Sequence, residues 1–212
     1  MSPAIEKLDR IPKRRVDKFA ERRDELAQAA LQTLSELGYA RTSLREIAQN
    51  SEFSHGVLHY YFSDKVDLIT SCVRHYKAQC VTRYDQVTAD ARNCAELTNG
   101  FLEALGATMR EDARMHRLWY DLRSQALFEE AFRADVLDID KSLENMIWRI
   151  MARFEELSGE PQNLPAAALY AMFDGLFQQC LLKHLAGDAD AIAEMQRNTR
   201  QILFKVAGTG QS

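Results

Sequence analysis

The feature that most limits how this chain can fold is the spacing of its apolar residues. They recur at intervals of three and four, the repeat of one helical face, and only 4 Pro and 9 Gly interrupt 212 residues. Apolar residues make up 46 % of the chain, enough for a sizeable core. The expectation is an all-α protein of about nine helices. The head, MSPAIEKLDR, lacks an apolar run of signal-peptide type, and no uncharged apolar stretch reaches the roughly 18 residues that span a bilayer. A cytoplasmic chain without a membrane partner is therefore expected. Cys72, Cys80, Cys94 and Cys180 fall inside helical patterns, as free and mostly buried thiols would.

Local signals divide the first third finely. A helix is predicted over Asp24 to Leu37, starting as early as Val16, and Gly38 supplies a left-handed stop. Ser43-Leu44-Arg45-Glu46 reads as a capping box opening a helix of about two turns. Asn50-Ser51-Glu52 reads as a turn, and Ser54 as the cap of a third short helix in which Leu58 and Phe62 point inward. Asp64 caps a fourth helix, carried by Val66, Ile69, Val73 and Tyr76 as far as Ala91. Beyond it, apolar stripes at Leu97–Met109, Met115–Leu122 and Phe132–Leu157 predict further helices. Pro165 stands near the start of a helix that is apolar nearly all round, and a last helix carries Ile192 to Val206.

Two short helices joined by a tight turn on an earlier helix make a helix-turn-helix, whose second member fits a DNA major groove. His55, His59, Tyr60 and Tyr61 crowd that member, where a buried helix would not want them. Gly56 costs such a helix about 1 kcal/mol against Ala, and makes sense where the backbone approaches a phosphate strand. Charge agrees. Residues 1–23 hold eight Lys or Arg against four acids, while from residue 71 onward the balance is 16 to 20. A basic head on an acidic body suits an end that meets phosphate, with Lys13, Arg14 and Arg15 as further contacts.

Residues 24 to 69 resemble the DNA-binding domain of the TetR family of bacterial transcriptional regulators. The resemblance rests on Gly38-Tyr39, Thr42-Ser43-Leu44-Arg45-Glu46-Ile47-Ala48, Ser54-His55-Gly56-Val57-Leu58-His59-Tyr60-Tyr61-Phe62, Lys65 and Leu68. It implies a three-helix reader followed by a larger helical domain for ligand binding and dimerisation. Carried over residue by residue, Thr42, Ser43 and Arg45 meet the DNA backbone beside the first short helix. Ser54, His55, Gly56, Val57, His59 and Tyr60 form the recognition surface, and Tyr61 and Lys65 take a phosphate at the groove edge. The sequence departs from the family in four places: Glu52 stands where the turn usually has glycine, His55 for the frequent lysine, Val57 for threonine and His59 for tyrosine. The stretch Leu118-Trp119-Tyr120-Asp121-Leu122-Arg123 is similar to the second domain of the betaine-regulator-like branch, which transfers no ligand.

The expected organisation is a basic arm at 1–20, the helix-turn-helix domain at 21–66, the helical domain at 67–207 and a tail at 208–212. Within the helical domain, Phe101, Leu105, Trp119, Tyr120, Trp148, Met151, Phe173 and Phe177 are candidate walls of a ligand cavity, with Asp121, Asn145 or Gln178 as polar groups. Ala168, Met172, Gly175, Leu176, Gln179, Leu182, Met195 and Ile202 are candidates for a two-fold interface. His55 and His59 have metal-ligand spacing but no third ligand nearby, and Cys72, His75 and Cys80 read better as packing than as a sensor. No metal or cofactor is expected. No glycine-rich phosphate loop, His-Glu-x-x-His or nucleophile elbow is present, so no enzyme is expected either. The reading is a homodimeric repressor on a near-palindromic double-stranded DNA operator, released by an unknown small-molecule effector. Its two readers are expected about 34–36 Å apart or near a multiple of that. The alternative is a small-molecule-binding helical module that has lost DNA binding.

Overall fold

The computed structural model describes the backbone of residues 3–206 and the side chains of residues 18–78 and 80–206. In chain order the helices are α1 (Pro3–Leu37), α2 (Leu44–Gln49), α3 (His55–Tyr61), α4 (Lys65–Cys80), α5 (Asp85–Asp90), α6 (Cys94–Gln125), α7 (Arg133–Ser158), α8 (Ala166–Leu185) and α9 (Ala191–Val206). A 3₁₀ turn, Glu130–Phe132, precedes α7, and no strand occurs among the described residues. The chain is all-α, as its periodicity requires. It forms two compact units that divide between Tyr76 and Lys77.

The first unit closes on a small core. Leu26, Ala27, Ala30 and Leu34 of α1, Ile47 of α2, Leu58 of α3, Phe62 just after it, and Leu68 and Ile69 of α4 are all buried. Each large side chain withdrawn from water contributes about 1.5–3 kcal/mol, so these few residues hold both short helices in place. The side-chain oxygens expected at the helix starts do cap them. Ser43 Oγ accepts from Glu46 N at 3.2 Å, Ser54 Oγ from Val57 N at 3.3 Å and Asp64 Oδ1 from Asp67 N at 2.9 Å. Gly38 ends α1 with φ +78°, a conformation that side chains other than glycine's resist.

The domain boundary lies later than expected, at Tyr76 rather than residue 66. The first three turns of α4 pack within the first unit, where the Cys72 thiol donates to Ala27 O at 2.9 Å. Nor does α4 reach Ala91. It ends at Cys80, a turn follows, and α5 is separate. Arg149 of α7 explains part of this, since it donates to Val81 O in the turn and reaches Asp85 at 2.8 Å.

The second unit is a bundle of α6 to α9 with α5 against it. The stripes around Leu97–Met109 and Met115–Leu122 belong to one helix, α6, kinked at Asp112 (φ −114°, ψ 17°). Arg83 pairs with Asp112 there, so a residue remote in sequence holds the bend. Pro165 stands at the start of α8, as its N-cap, and Gly159 (φ +75°) ends α7.

Candidate nucleic-acid interface and ligand cavity

In the first unit α3 is fixed from below and open above. Leu58 and Phe62 anchor it, while Ser54, His55, Gly56, Val57, His59 and Tyr60 are exposed, Tyr60 by 72 %. A clamp that sequence reasoning missed holds its far end. Arg23 of α1 donates to Tyr61 O at 3.3 Å and to Ser71 Oγ at 2.9 Å, pairs with Asp67, and lies 4.8 Å from the Phe62 ring. One guanidinium thus ties the end of α3 and the start of α4 to α1. Arg23 is therefore spent inside the unit, and Arg22 pairs with Glu25 and stacks on Phe53, so neither is the plain phosphate-facing charge that the basic head suggested. The side chains of Lys13, Arg14 and Arg15 lie outside the described residues.

The eleven candidate DNA contacts divide by burial. Ser43 and Arg45 are exposed beside α2. Thr42 is a correction: it is 2 % exposed and its hydroxyl donates to Gly38 O at 2.7 Å, so its work is to close the turn after α1. Tyr61 and Lys65 are half-buried. The Tyr61 ring stacks on Phe19 at 4.7 Å, and the Lys65 ammonium lies 4.0 Å from the Tyr39 ring centroid. Phe19, also edge-on to Tyr60 at 6.0 Å, was not foreseen, because it precedes the apolar repeat of α1. His55 and His59 meet edge to face at 4.4 Å. A Cβ on Gly56 would meet nothing nearer than Ser54 Oγ at 4.0 Å, so crowding within the chain does not require this glycine.

The second unit holds a partly open cavity of about 70 Å³ between α6, α7 and α8, with the last turn of α4 at its wall. Phe101, Leu105, Trp119, Tyr120, Phe173 and Phe177 line it, as the helical spacing suggested, joined by Leu143, Met146 and Ile147. Trp148 and Met151 do not. Trp148 lies on the outer side of α7, 37 % exposed, and Met151 is fully buried elsewhere in the core. The heptad-like run of α7 cannot tell an inner side facing a cavity from one facing a packed neighbour. The polar lining differs from the expected Asp121, Asn145 and Gln178: it is Lys77, Tyr84, Thr108, His116, Tyr170 and Asp174.

These polar groups are mutually satisfied to different degrees. Tyr84 and Thr108 hydroxyls lie 3.2 Å apart, and burial pushes the Tyr84 phenol up to about 12. Tyr120 donates to Asp174 at 2.9 Å and Tyr170 to Asp140 at 2.7 Å, while Arg123 pairs with both carboxylates. Burial, then these carboxylates, raise both phenols far above the ordinary range. Lys77 is 3 % exposed, with its ammonium 4.3 Å from the Trp119 ring centroid. Burial lowers its pKa to about 8, and the opposing pull of Cys80, Asp174 and Asp140 does not restore it. His116, 4.8 Å from the Phe177 ring, is held well below the ordinary histidine value by burial first and by Lys77 and Arg83 second. The buried Trp119 indole N–H has no acceptor among the described residues.

On α8 the interface candidates split. Met172, Gly175, Gln179 and Leu182 are exposed, Leu182 by 72 %, and Ala168 and Leu176 are half-buried, with Leu185 a further exposed apolar residue. On α9, Ile202 is half-buried. Met195 is a correction, since it is fully buried in its own subunit. Among the described residues no group of three His, Cys, Asp or Glu could hold a metal, and no helix is long and apolar enough to cross a membrane.

Residues 26–72 match the family model described as bacterial regulatory proteins, tetR family. The chain is 26 % identical over 173 residues to the HTH-type transcriptional regulator BetI of Stenotrophomonas maltophilia, covering 79 % of this chain and 84 % of that one. In structure it is similar to a transcriptional regulator from Saccharomonospora viridis in complex with choline (TM-score 0.70, 16 % identity, 87 % of this chain and 96 % of that one). It is also similar to FadR of Bacillus subtilis in complex with stearoyl-CoA (TM-score 0.58, 16 % identity, 86 % of this chain and 97 % of that one).

Proposed function

We propose that this chain, which resembles the TetR family over its DNA-binding unit and most of its length, is a homodimeric DNA-binding repressor released from a near-palindromic operator by a small molecule held in the α6–α8 cavity. It is a regulator rather than an enzyme. The observation that carries the DNA half is the exposed row on α3, from Ser54 to Tyr60, on a helix whose buried side is fully committed to its own core. A module that had lost DNA binding would have no reason to present that row.

The reader's parts take the following roles. α3 enters the major groove, where Val57 meets a thymine methyl and His55, His59 and Tyr60 supply hydrogen bonds and flat contacts. Ser43 and Arg45 meet phosphates of the flanking strand, and Tyr61 and Lys65 the groove edge. Gly56 lets the backbone approach. Met172, Gly175, Leu176, Gln179, Leu182 and Leu185 pack against the same surface of a second copy, forming a four-helix interface from α8 and α9 of each subunit.

Structures of like architecture hold choline or stearoyl-CoA, which supports a small-molecule effector here. Lys77 stands at the cavity and on α4, whose earlier turns belong to the DNA-binding unit. A ligand that favours one position of α4 would change the spacing of the two readers. It releases DNA only to the extent that its affinities for the two states differ. A regulator of this kind acts in the cytoplasm, where the chromosome is.

The test is selection of bound sequences from a random DNA pool, at stated salt, with purified protein. A recovered palindrome is expected. No enrichment by folded, ligand-free protein would favour the module that has lost DNA binding.

A further inference from the structure

We propose that the cavity of the helical unit takes a ligand bearing one carboxylate on a short apolar body, received by the Lys77 ammonium and the Trp119 indole N–H. The proposal rests on the reading that this cavity is the effector site.

Four observations converge on it. First, the lining includes a cation built into the chain. Lys77 is almost wholly buried and lies over the Trp119 face, the position that a quaternary ammonium would seek in an aromatic cage. That place is taken by the protein itself. Second, the Trp119 N–H is a buried donor without an acceptor among the described residues, a state that an arriving oxygen relieves. The ammonium and this N–H belong to neighbouring side chains of one cavity wall, so a ligand oxygen has a donor at each. Third, the acids nearby are already answered. Asp174 accepts from Tyr120 and Arg123, and Asp140 from Tyr170 and Arg123. Those phenols are spent as donors to carboxylates, so they are not open to receive a ligand. Fourth, the rest of the wall is apolar, with Leu105, Met146 and Phe173 among it, and a partly open cavity of about 70 Å³ suits a short apolar body.

Charge linkage supports the same assignment. The groups facing Lys77 are Cys80 on α4, Arg83 in the following turn, His116 on α6, Asp140 on α7 and Asp174 on α8. With them in place the ammonium is still held at about 8 by burial. A carboxylate against it favours the protonated form, so binding takes up a proton when the solution stands above pH 8.

The experiment uses the full chain without DNA, in a Trp148→Phe background so that Trp119 is the one indole reporting. The probes are straight-chain carboxylates from acetate to octanoate and phenylacetate, the matching primary alcohols, and the matching trimethylammonium compounds. Binding is followed by fluorescence and calorimetry. Carboxylates are expected to saturate on the order of tenfold tighter than alcohols at pH 7, with the advantage shrinking by pH 9.5. Lys77→Met should remove that advantage and leave the alcohols within about twofold, while Lys77→Arg should keep part of it. Equal affinity of alcohols and carboxylates would overturn the proposal. So would tighter binding of the trimethylammonium series, or no saturable binding of any carboxylate up to about 10 mM. Operator release separates the two readings. Carboxylates that bind without releasing DNA would refute the effector site and leave the ligand class standing, whereas release by a trimethylammonium compound would do the reverse.

Discussion

Replacing Lys77 by methionine in the ligand-free protein removes a buried cation from this cavity. The side chain is 3 % exposed, and its pKa of about 8 lies below the ordinary 10.5 because burial disfavours the charged form. At 1.36 kcal/mol for each tenfold change in proton affinity, that displacement means about 3 kcal/mol lost to the folded state at neutral pH. The ammonium recovers part of it from the Trp119 face, about 1–2 kcal/mol for a desolvated pair. Methionine matches the length and fills the space without the charge, so Lys77→Met should be more stable by about 1–2 kcal/mol at pH 7. The direction with pH follows from the lowered value. Between pH 8 and 10.5 the unfolded chain holds the proton that the folded chain has released, so stability rises with pH for the parent and not for the variant. The penalty is present in full below pH 8 and gone above 10.5. Tyr84, raised to about 12, acts oppositely: its contribution is present below pH 10 and is lost as pH rises toward 12. That contribution is common to both proteins and cancels in their difference. Urea denaturation of both at pH 7, 8, 9 and 10 measures the difference directly. A variant less stable at pH 7, or a difference constant from pH 7 to 10, would refute the reasoning.

Three further outcomes are expected. Gly56→Ala should stabilise the isolated protein by up to about 1 kcal/mol, since the added Cβ meets nothing nearer than Ser54 Oγ at 4.0 Å, and yet weaken operator binding at least several-fold; unchanged DNA affinity in a gel-shift titration would remove the phosphate-approach role of that glycine. Tyr60→Ala should lower operator affinity by about 1–3 kcal/mol with little change in melting temperature, because the ring is 72 % exposed. Equal affinity for the two proteins would strike Tyr60 from the contact surface. Leu182→Glu places a charge on the exposed side of α8 and should shift light scattering from dimer toward monomer; a dimer undiminished at micromolar concentration would refute the α8 interface.

Much of this protein is written in short-range signals. Helix content follows from apolar residues at three- and four-residue spacing. The ends of the short helices follow from Ser43, Ser54 and Asp64, whose oxygens reach an N–H only three residues away. The exposure of α3 follows from Leu58 and Phe62, which leave the other side of so short a helix nowhere to go but outward. Such features depend on partners within four residues, so the local sequence determines them.

Tertiary packing decided the rest. Thr42 turned inward to Gly38, and Arg23 was drawn from the basic head to Asp67, 44 residues away. α6 bends where Arg83 meets Asp112, and α4 stops at Cys80, before a turn to which Arg149 binds. Trp148 and Met195 show the same limit from opposite directions: periodicity puts each on an apolar stripe, and only the neighbouring helices decide that one faces outward and the other is enclosed. Lys77 is the sharpest case. A lysine near the end of a helix reads as a solvated cation, and its burial over Trp119 depends on helices that begin seventeen residues later and more. The cost of desolvating a charge is set by everything packed around it, and no local stretch of sequence carries that sum.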